Sequence, residues 1–171
     1  SKTNFEEIFS TYFSIFPKDI LNKESVGFDA GCGSGRWAKF VAPKVKELTC
    51  LDPSEKALKI AKNNLSEFSN CLFECSTIND FKIAENSQDF GYCLGVLHHI
   101  PDTKKAMRSC VSKLKRNAPL LVYIYYRFDN KPIWFRCIWI CTDLIRRLIS
   151  QMPFYLKVLI TKLIAIIVYL P

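Results

Sequence analysis

The chain has 171 residues, 49% hydrophobic and 23% charged, a balance that excludes a disordered or fibrous polypeptide and suffices for a sizeable core. A formal net charge of +8 is compatible with nucleic acid, an anionic membrane surface, an acidic ligand or simply a solvated basic surface. The eight cysteines include no CxxC pair; Cys71 with Cys75, and Cys137 with Cys141, have only the adjacent His98 and His99 to join them, so no metal site is expected.

In chain order, Phe5, Ile8, Phe9, Tyr12, Phe13 and Phe16 recur at helical spacing and predict an aromatic-rich helix over 4–16, stopped by Pro17. Residues 26–29 read as a short buried strand, 31–35 as a glycine-rich turn, and 36–41 as the start of a helix ended by Pro43. A second strand spans 48–51. Ser54 then caps a helix whose apolar face is Ala57, Leu58, Ala61, Leu65 and Phe68. Residues 71–73 and 90–94 form the third and fourth strands. Asp102 caps a helix turning Ala106, Met107, Cys110, Val111 and Leu114 inward, and 120–126 is the fifth strand. Such alternation requires crossover connections, and so a mainly parallel, doubly wound α/β sheet with helices on both faces. Cys50, Cys71 and Cys93 lie in apolar runs as small hydrophobes, which fits a reducing, cytoplasmic compartment.

After residue 131 the pattern turns helical and apolar. Trp134, Cys137, Ile138, Cys141, Leu144, Ile145 and Leu148 form one stripe, Met152-Pro153 breaks it, and 154–170 is a second helix. From Lys131 onward six Lys/Arg face one acid, Asp143. The charge-free window 163–171 falls short of the roughly 20 apolar residues of a spanning helix. Two domains are therefore expected: 1–130, and a basic hydrophobic segment 131–171. The segment reads either as a cap on the first domain or, given Trp134, Phe135, Trp139 and Phe154 among basic residues, as a membrane-surface contact through 132–170 of a cytoplasmic, peripheral protein.

The chemistry concentrates in Asp29-Ala30-Gly31-Cys32-Gly33-Ser34-Gly35. Glycines serve where backbone must turn tightly and approach a ligand, and the helix start beyond them offers free N–H groups to an anion. Asp52 closes the second strand about 20 residues on, where a carboxylate accepts both hydrogens of a ribose diol; its alternative reading is a helix cap before Pro53-Ser54. A dinucleotide site needs G-x-G-x-x-G, and here Arg36 stands in place of the third glycine.

The glycine turn with Asp29 and Asp52 resembles the class I S-adenosylmethionine (SAM)-dependent methyltransferases of the UbiE-like, small-molecule type. The resemblance extends over 4–126, about three-quarters of the chain. It includes the strand-exit segment Leu94-Gly95-Val96-Leu97-His98-His99-Ile100; Asn117-Ala118 departs from the family's Pro-Gly-Gly turn. It implies SAM as cofactor and a Rossmann-like fold. The acid Asp29 would lie near the methionine amino end. The turn residues Ala30, Gly31, Cys32, Gly33 and Gly35 would lie along the cofactor, Asp52 and Pro53 at the ribose, Ile78 and Asn79 (or Asp80) at the adenine, and Leu94 at the fourth strand's exit. His98 and His99 are candidates for a general base, or else pack the loop. Tyr125 and Tyr126 are candidates to line the acceptor pocket, or else pack the sheet edge. The family usually ends with two further strands that have no counterpart here: either the chain is truncated and 131–171 is an insertion ahead of them, which is the expectation, or the helices of 131–171 replace them.

Three functions stay in view. The first is methyl transfer to a small-molecule acceptor, apolar or lipid-linked. The second is an NAD(P)-binding oxidoreductase, and the third a non-catalytic module of the same fold that binds a membrane or partner. No nucleic-acid partner is expected, because the first 126 residues lack a basic, stacking-rich face and an Asn-Pro-Pro-Tyr-type motif. Oligomeric state is not legible.

Overall fold

The structure, a computed structural model, describes residues 2–125 and 131–169. Tyr126, residue 130 at the expected domain boundary, and Leu170 lie outside them. The chain forms two compact units, 1–125 and 126–171.

The first unit runs α1 (Lys2–Phe13), β1 (Val26–Ala30), α2 (Ala38–Val41), β2 (Glu47–Asp52), α3 (Glu55–Asn64), β3 (Cys71–Cys75), β4 (Phe90–Leu94), α4 (Thr103–Lys113) and β5 (Leu120–Tyr123). The second holds α5 (Ile133–Gln151) and α6 (Phe154–Tyr169). The caps are those expected: Ser54 Oγ accepts from Ala57 N–H at 3.3 Å, and Asp102 Oδ1 from Lys105 N–H at 2.9 Å. Several boundaries differ from expectation: the second strand is longer by one residue at each end, the third runs on to Cys75 and the fifth stops at Tyr123. The first helix ends at Phe13, although Phe16 remains buried through a turn tightened ahead of Pro17. Arg36 and Trp37 belong to the glycine turn, and Pro43 sits inside a 3-10 turn, Ala42–Lys44, that extends α2.

All strand pairs are parallel, in the order β3-β2-β1-β4-β5. The chain winds outward from β1 to β3, then returns to place β4 on the other side of β1. The reversal point lies between β1 and β4, and in such sheets ligands bind at the carboxyl ends beside it. Beyond β5 no further strand pairs with the sheet among the described residues.

Side chains alternate across the sheet into two cores. Phe9, Phe13, Leu48, Cys50, Leu58 and Tyr92 belong to one, covered by α1, α2 and α3. Phe28, Ala30, Leu51, Cys93, Ala106 and Cys110 belong to the other, covered by α4. Full burial of each large apolar side chain contributes about 1.5–3 kcal/mol. Val111, expected on the inner face of α4, is 53% exposed, because the sheet reaches only the Ala106–Cys110 side. Between β1 and β4, Gly27 pairs with Phe90 and Phe28 with Gly91. Each phenyl ring occupies the space a Cβ on the opposite glycine would need.

Candidate functional site

The turn after β1 is fastened to the end of β2. Gly31 and Cys32 N–H both donate to Leu51 O, at 2.8 and 3.0 Å, and Gly35 N–H to Cys32 O at 2.9 Å. Gly31 has φ +80°, and a Cβ there would come within 2.5 Å of Val96. At Gly33, φ +54°, nothing stands within 4 Å of where a Cβ would be, so the backbone is bare to an approaching ligand. Gly33 N–H donates to Asp52 Oδ2 at 3.0 Å and Ser54 N–H to Asp52 Oδ1 at 2.9 Å. Asp52 is thus not the cap of α3, a role Ser54 fills. A carboxylate has about four acceptor positions, so each Asp52 oxygen can take a further donor.

Beside Asp52 opens a cavity of about 550 Å³, within the range of cofactor clefts. Of the residues expected at a cofactor, Gly31, Asp52, Pro53, Ile78 and Asn79 line it, with Asp80 and His99. Asn79 Oδ1 is shielded from solvent and has no hydrogen-bond partner, while Thr77 Oγ1 donates to Asp80 Oδ2 at 2.6 Å and fixes that loop. The other expected residues lie elsewhere. Ala30 is packed in the core under α4, and Cys32 in the core under α3. Gly35 abuts Ala61 of α3 and Leu65 just beyond its end, and Leu94 packs partly against the first core.

Asp29 lies under the turn and is 1% exposed. It pairs across the sheet with Cys50 on one side and Tyr92 on the other. Asp29 Oδ2 and the Tyr92 hydroxyl are both buried without a partner in good hydrogen-bond geometry. Burial pushes the Asp29 carboxyl up to about 8; the Tyr92 hydroxyl pulls it down, and Asp52 and Cys71 add to the rise. A neutral carboxyl with an idle oxygen fits a site that receives a cation.

On the flank of the carboxyl ends, aromatic rings run in a row. Trp37 meets Tyr12 at 5.5 Å, Tyr12 stacks on Tyr123 at 4.9 Å, and Tyr123 meets Tyr125 edge-on at 5.7 Å. Tyr125 then meets His98 at 4.4 Å, and His98 meets His99 at 4.1 Å. Both His98 ring nitrogens are shielded and unpartnered, and burial, then His99, lowers its pKa. A neutral imidazole can accept a proton.

Sequence reasoning missed Tyr92, Thr77, Val96, Ile100, Pro101 and the pairing of Tyr12 with Tyr123. Gly95, at φ +78° with nothing within 4 Å of where a Cβ would be, turns the chain at the exit of β4. No cluster of His, Cys, Asp or Glu able to hold a metal occurs among the described residues.

A family model described as methyltransferase domain matches residues 28–122. The chain is 36% identical over 104 residues to a ubiquinone biosynthesis O-methyltransferase of Vibrio vulnificus (strain YJ016), covering 59% of this chain and 41% of that protein. It is 29% identical over 103 residues to the protein of the same name from Idiomarina loihiensis, covering 59% and 40%. The chain thus spans about 40% of the length of the curated relatives it matches. Among solved structures it resembles the YcgJ protein of Bacillus subtilis, with TM-score 0.63, 22% identity and coverage of 76% of this chain and 54% of that one. It also resembles the N-methyltransferase NodS of Bradyrhizobium japonicum in complex with S-adenosyl-L-homocysteine, with TM-score 0.55, 22% identity and coverage of 66% and 56%.

Proposed function

The chain belongs to the class I SAM-dependent methyltransferases, and from that premise we propose that it serves methyl transfer to a small, apolar or lipid-linked acceptor. The observation that carries this reading is the convergence of the bare Gly33 backbone, the Asp52 carboxylate and the unpartnered Asn79 Oδ1 on one side of the sheet's reversal point. Asp52 would accept the ribose hydroxyls, Asn79 Oδ1 an adenine amino hydrogen, and Asp29 would face the methionine ammonium. Pro53 and Ile78 would supply the apolar walls. Gly31, Gly33 and Gly35 would let the backbone pass close, with Ala30, Cys32 and Leu94 acting through backbone or packing. The cofactor supplies an electrophilic methyl on a good leaving group. The chain's share of the catalysis is therefore alignment and exclusion of water.

An acceptor hydroxyl needs a base, and His98, whose ring nitrogens have no hydrogen-bond partner and which packs on Tyr125, is better suited than the exposed His99. The row from Trp37 to Tyr125 favours an apolar acceptor. A membrane-surface contact through 132–170 would bring such an acceptor to the site; no helix among the described residues is long and apolar enough to cross a membrane. The family match removes the dinucleotide oxidoreductase alternative, in keeping with Arg36 in place of a third glycine.

Calorimetric titration of the chain with SAM, S-adenosylhomocysteine and NAD tests the reading. Binding of the first two and not NAD, weakened by Asp52→Ala, is expected. Absence of SAM and S-adenosylhomocysteine binding by a folded chain would sink it.

A further inference from the structure

The second unit is built in a way that the methyltransferase fold does not require. None of the 19 residues of α5 is buried. At 3.6 residues per turn, Cys137, Cys141, Leu144 and Leu148 run along one side, flanked by Trp134 and Ile145. Arg136, Asp143, Arg146, Arg147 and Ser150 lie opposite. Trp134 is 64% exposed, Leu148 64% and Phe154, at the start of α6, 72%. The single acid is already engaged: Asp143 Oδ1 accepts from Arg146 Nη2 at 2.6 Å and Oδ2 from Arg147 Nε at 2.8 Å, and these bonds hold its carboxyl below the usual range. Six Lys/Arg against this one acid leave 131–171 with a net charge of +5, which the Arg146 and Arg147 pairs with Asp143 do not cancel.

The class of partner follows from asking what satisfies both sides at once. A nucleic acid would answer the arginines and leave the apolar arc wet. A second copy of this chain would cover the apolar arc and bring like charges together. An anionic bilayer does both: an amphipathic helix lies in the plane of the interface, its apolar arc among acyl chains and its arginines at the headgroup phosphates. Deepening the membrane contact proposed above, and resting on it, we propose that α5 docks flat on an anionic lipid surface through Trp134, Leu144, Ile145 and Leu148, with Arg136, Arg146 and Arg147 selecting the negative headgroups.

The test is co-sedimentation of the full chain with phosphatidylcholine vesicles, with and without phosphatidylserine. The variants are Arg136→Gln/Arg146→Gln/Arg147→Gln, which removes charge only, and Leu144→Ser/Leu148→Ser, which removes apolar contact only. Both alter exposed side chains, and retained S-adenosylhomocysteine binding and helical circular dichroism check the fold. Partition onto the anionic vesicles is expected, with a loss on the order of a hundredfold for the triple glutamine variant and a clear loss for the double serine variant. Equal partition onto both vesicle types would overturn the headgroup selection and leave the membrane reading intact. Partition onto neither would overturn both. Concentration-dependent self-association, abolished by the serine variant and unaffected by vesicles, would assign the face to a second copy instead.

Discussion

Asp29 is a carboxyl kept protonated beneath a backbone turn, and two measurements follow from that. Its folded pKa is about 8 against about 3.9 in an unfolded chain. The folded state therefore holds a proton that the unfolded chain releases, and the stabilisation this brings, full below about pH 4, is lost as pH rises through about 8. The melting temperature of the ligand-free chain should fall over that window. Asp29→Asn should flatten the fall and leave the variant the more stable one above about pH 8. When a cationic ligand settles against Asp29, the proton should leave. Titration with S-adenosylhomocysteine in buffers of different ionisation heat should register its release in the wild type and not in Asp29→Asn. At Asp52, one charged acceptor serves the Gly33 N–H and the proposed ribose. Hydrogen bonds to charged groups are worth about 1.5–3 kcal/mol, so Asp52→Ala should weaken cofactor binding by about ten- to a hundredfold in the same calorimeter.

Between β1 and β4, the pairing of Gly27 with Phe90 and of Phe28 with Gly91 sets how closely the central strands pack. A methyl group at Gly91 would have to displace the buried Phe28 ring, and overpacking of this kind costs about 1–3 kcal/mol. Gly91→Ala should lower the urea midpoint accordingly, and adding Phe28→Leu should recover part of the loss. At the start of α4, Asp102→Ala should cost about 1 kcal/mol in the same assay. The caps, the glycine turn and the strand cores were legible, since each depends on neighbours within a few residues. The reciprocal glycines were not, because Gly27 and Gly91 acquire their roles from a cross-strand register that no local pattern encodes. Val111 failed for the same reason: helical spacing says which residues share a face, not how far the sheet beneath extends.

The two units make different demands on the same chain. Hydrogen exchange with and without S-adenosylhomocysteine should show new protection at 29–35, 52–54 and 76–80, and none over 133–169; equal protection across both units would contradict a site confined to the first. The sequence by itself determined the strand–helix alternation, the glycine turn with its two acids, and the change to a basic, apolar helical segment after residue 131. These are recorded in periodicity and short spacing, which act along the chain. Tertiary structure decided which residues meet: that Asp29 faces Tyr92 across β1 and β4, that Asp52 holds Gly33 and does not cap α3, and that Tyr12 stacks on Tyr123. Each of these depends on the order β3-β2-β1-β4-β5, and that order is set by how two helical layers bury a shared sheet, an energy that belongs to no single segment.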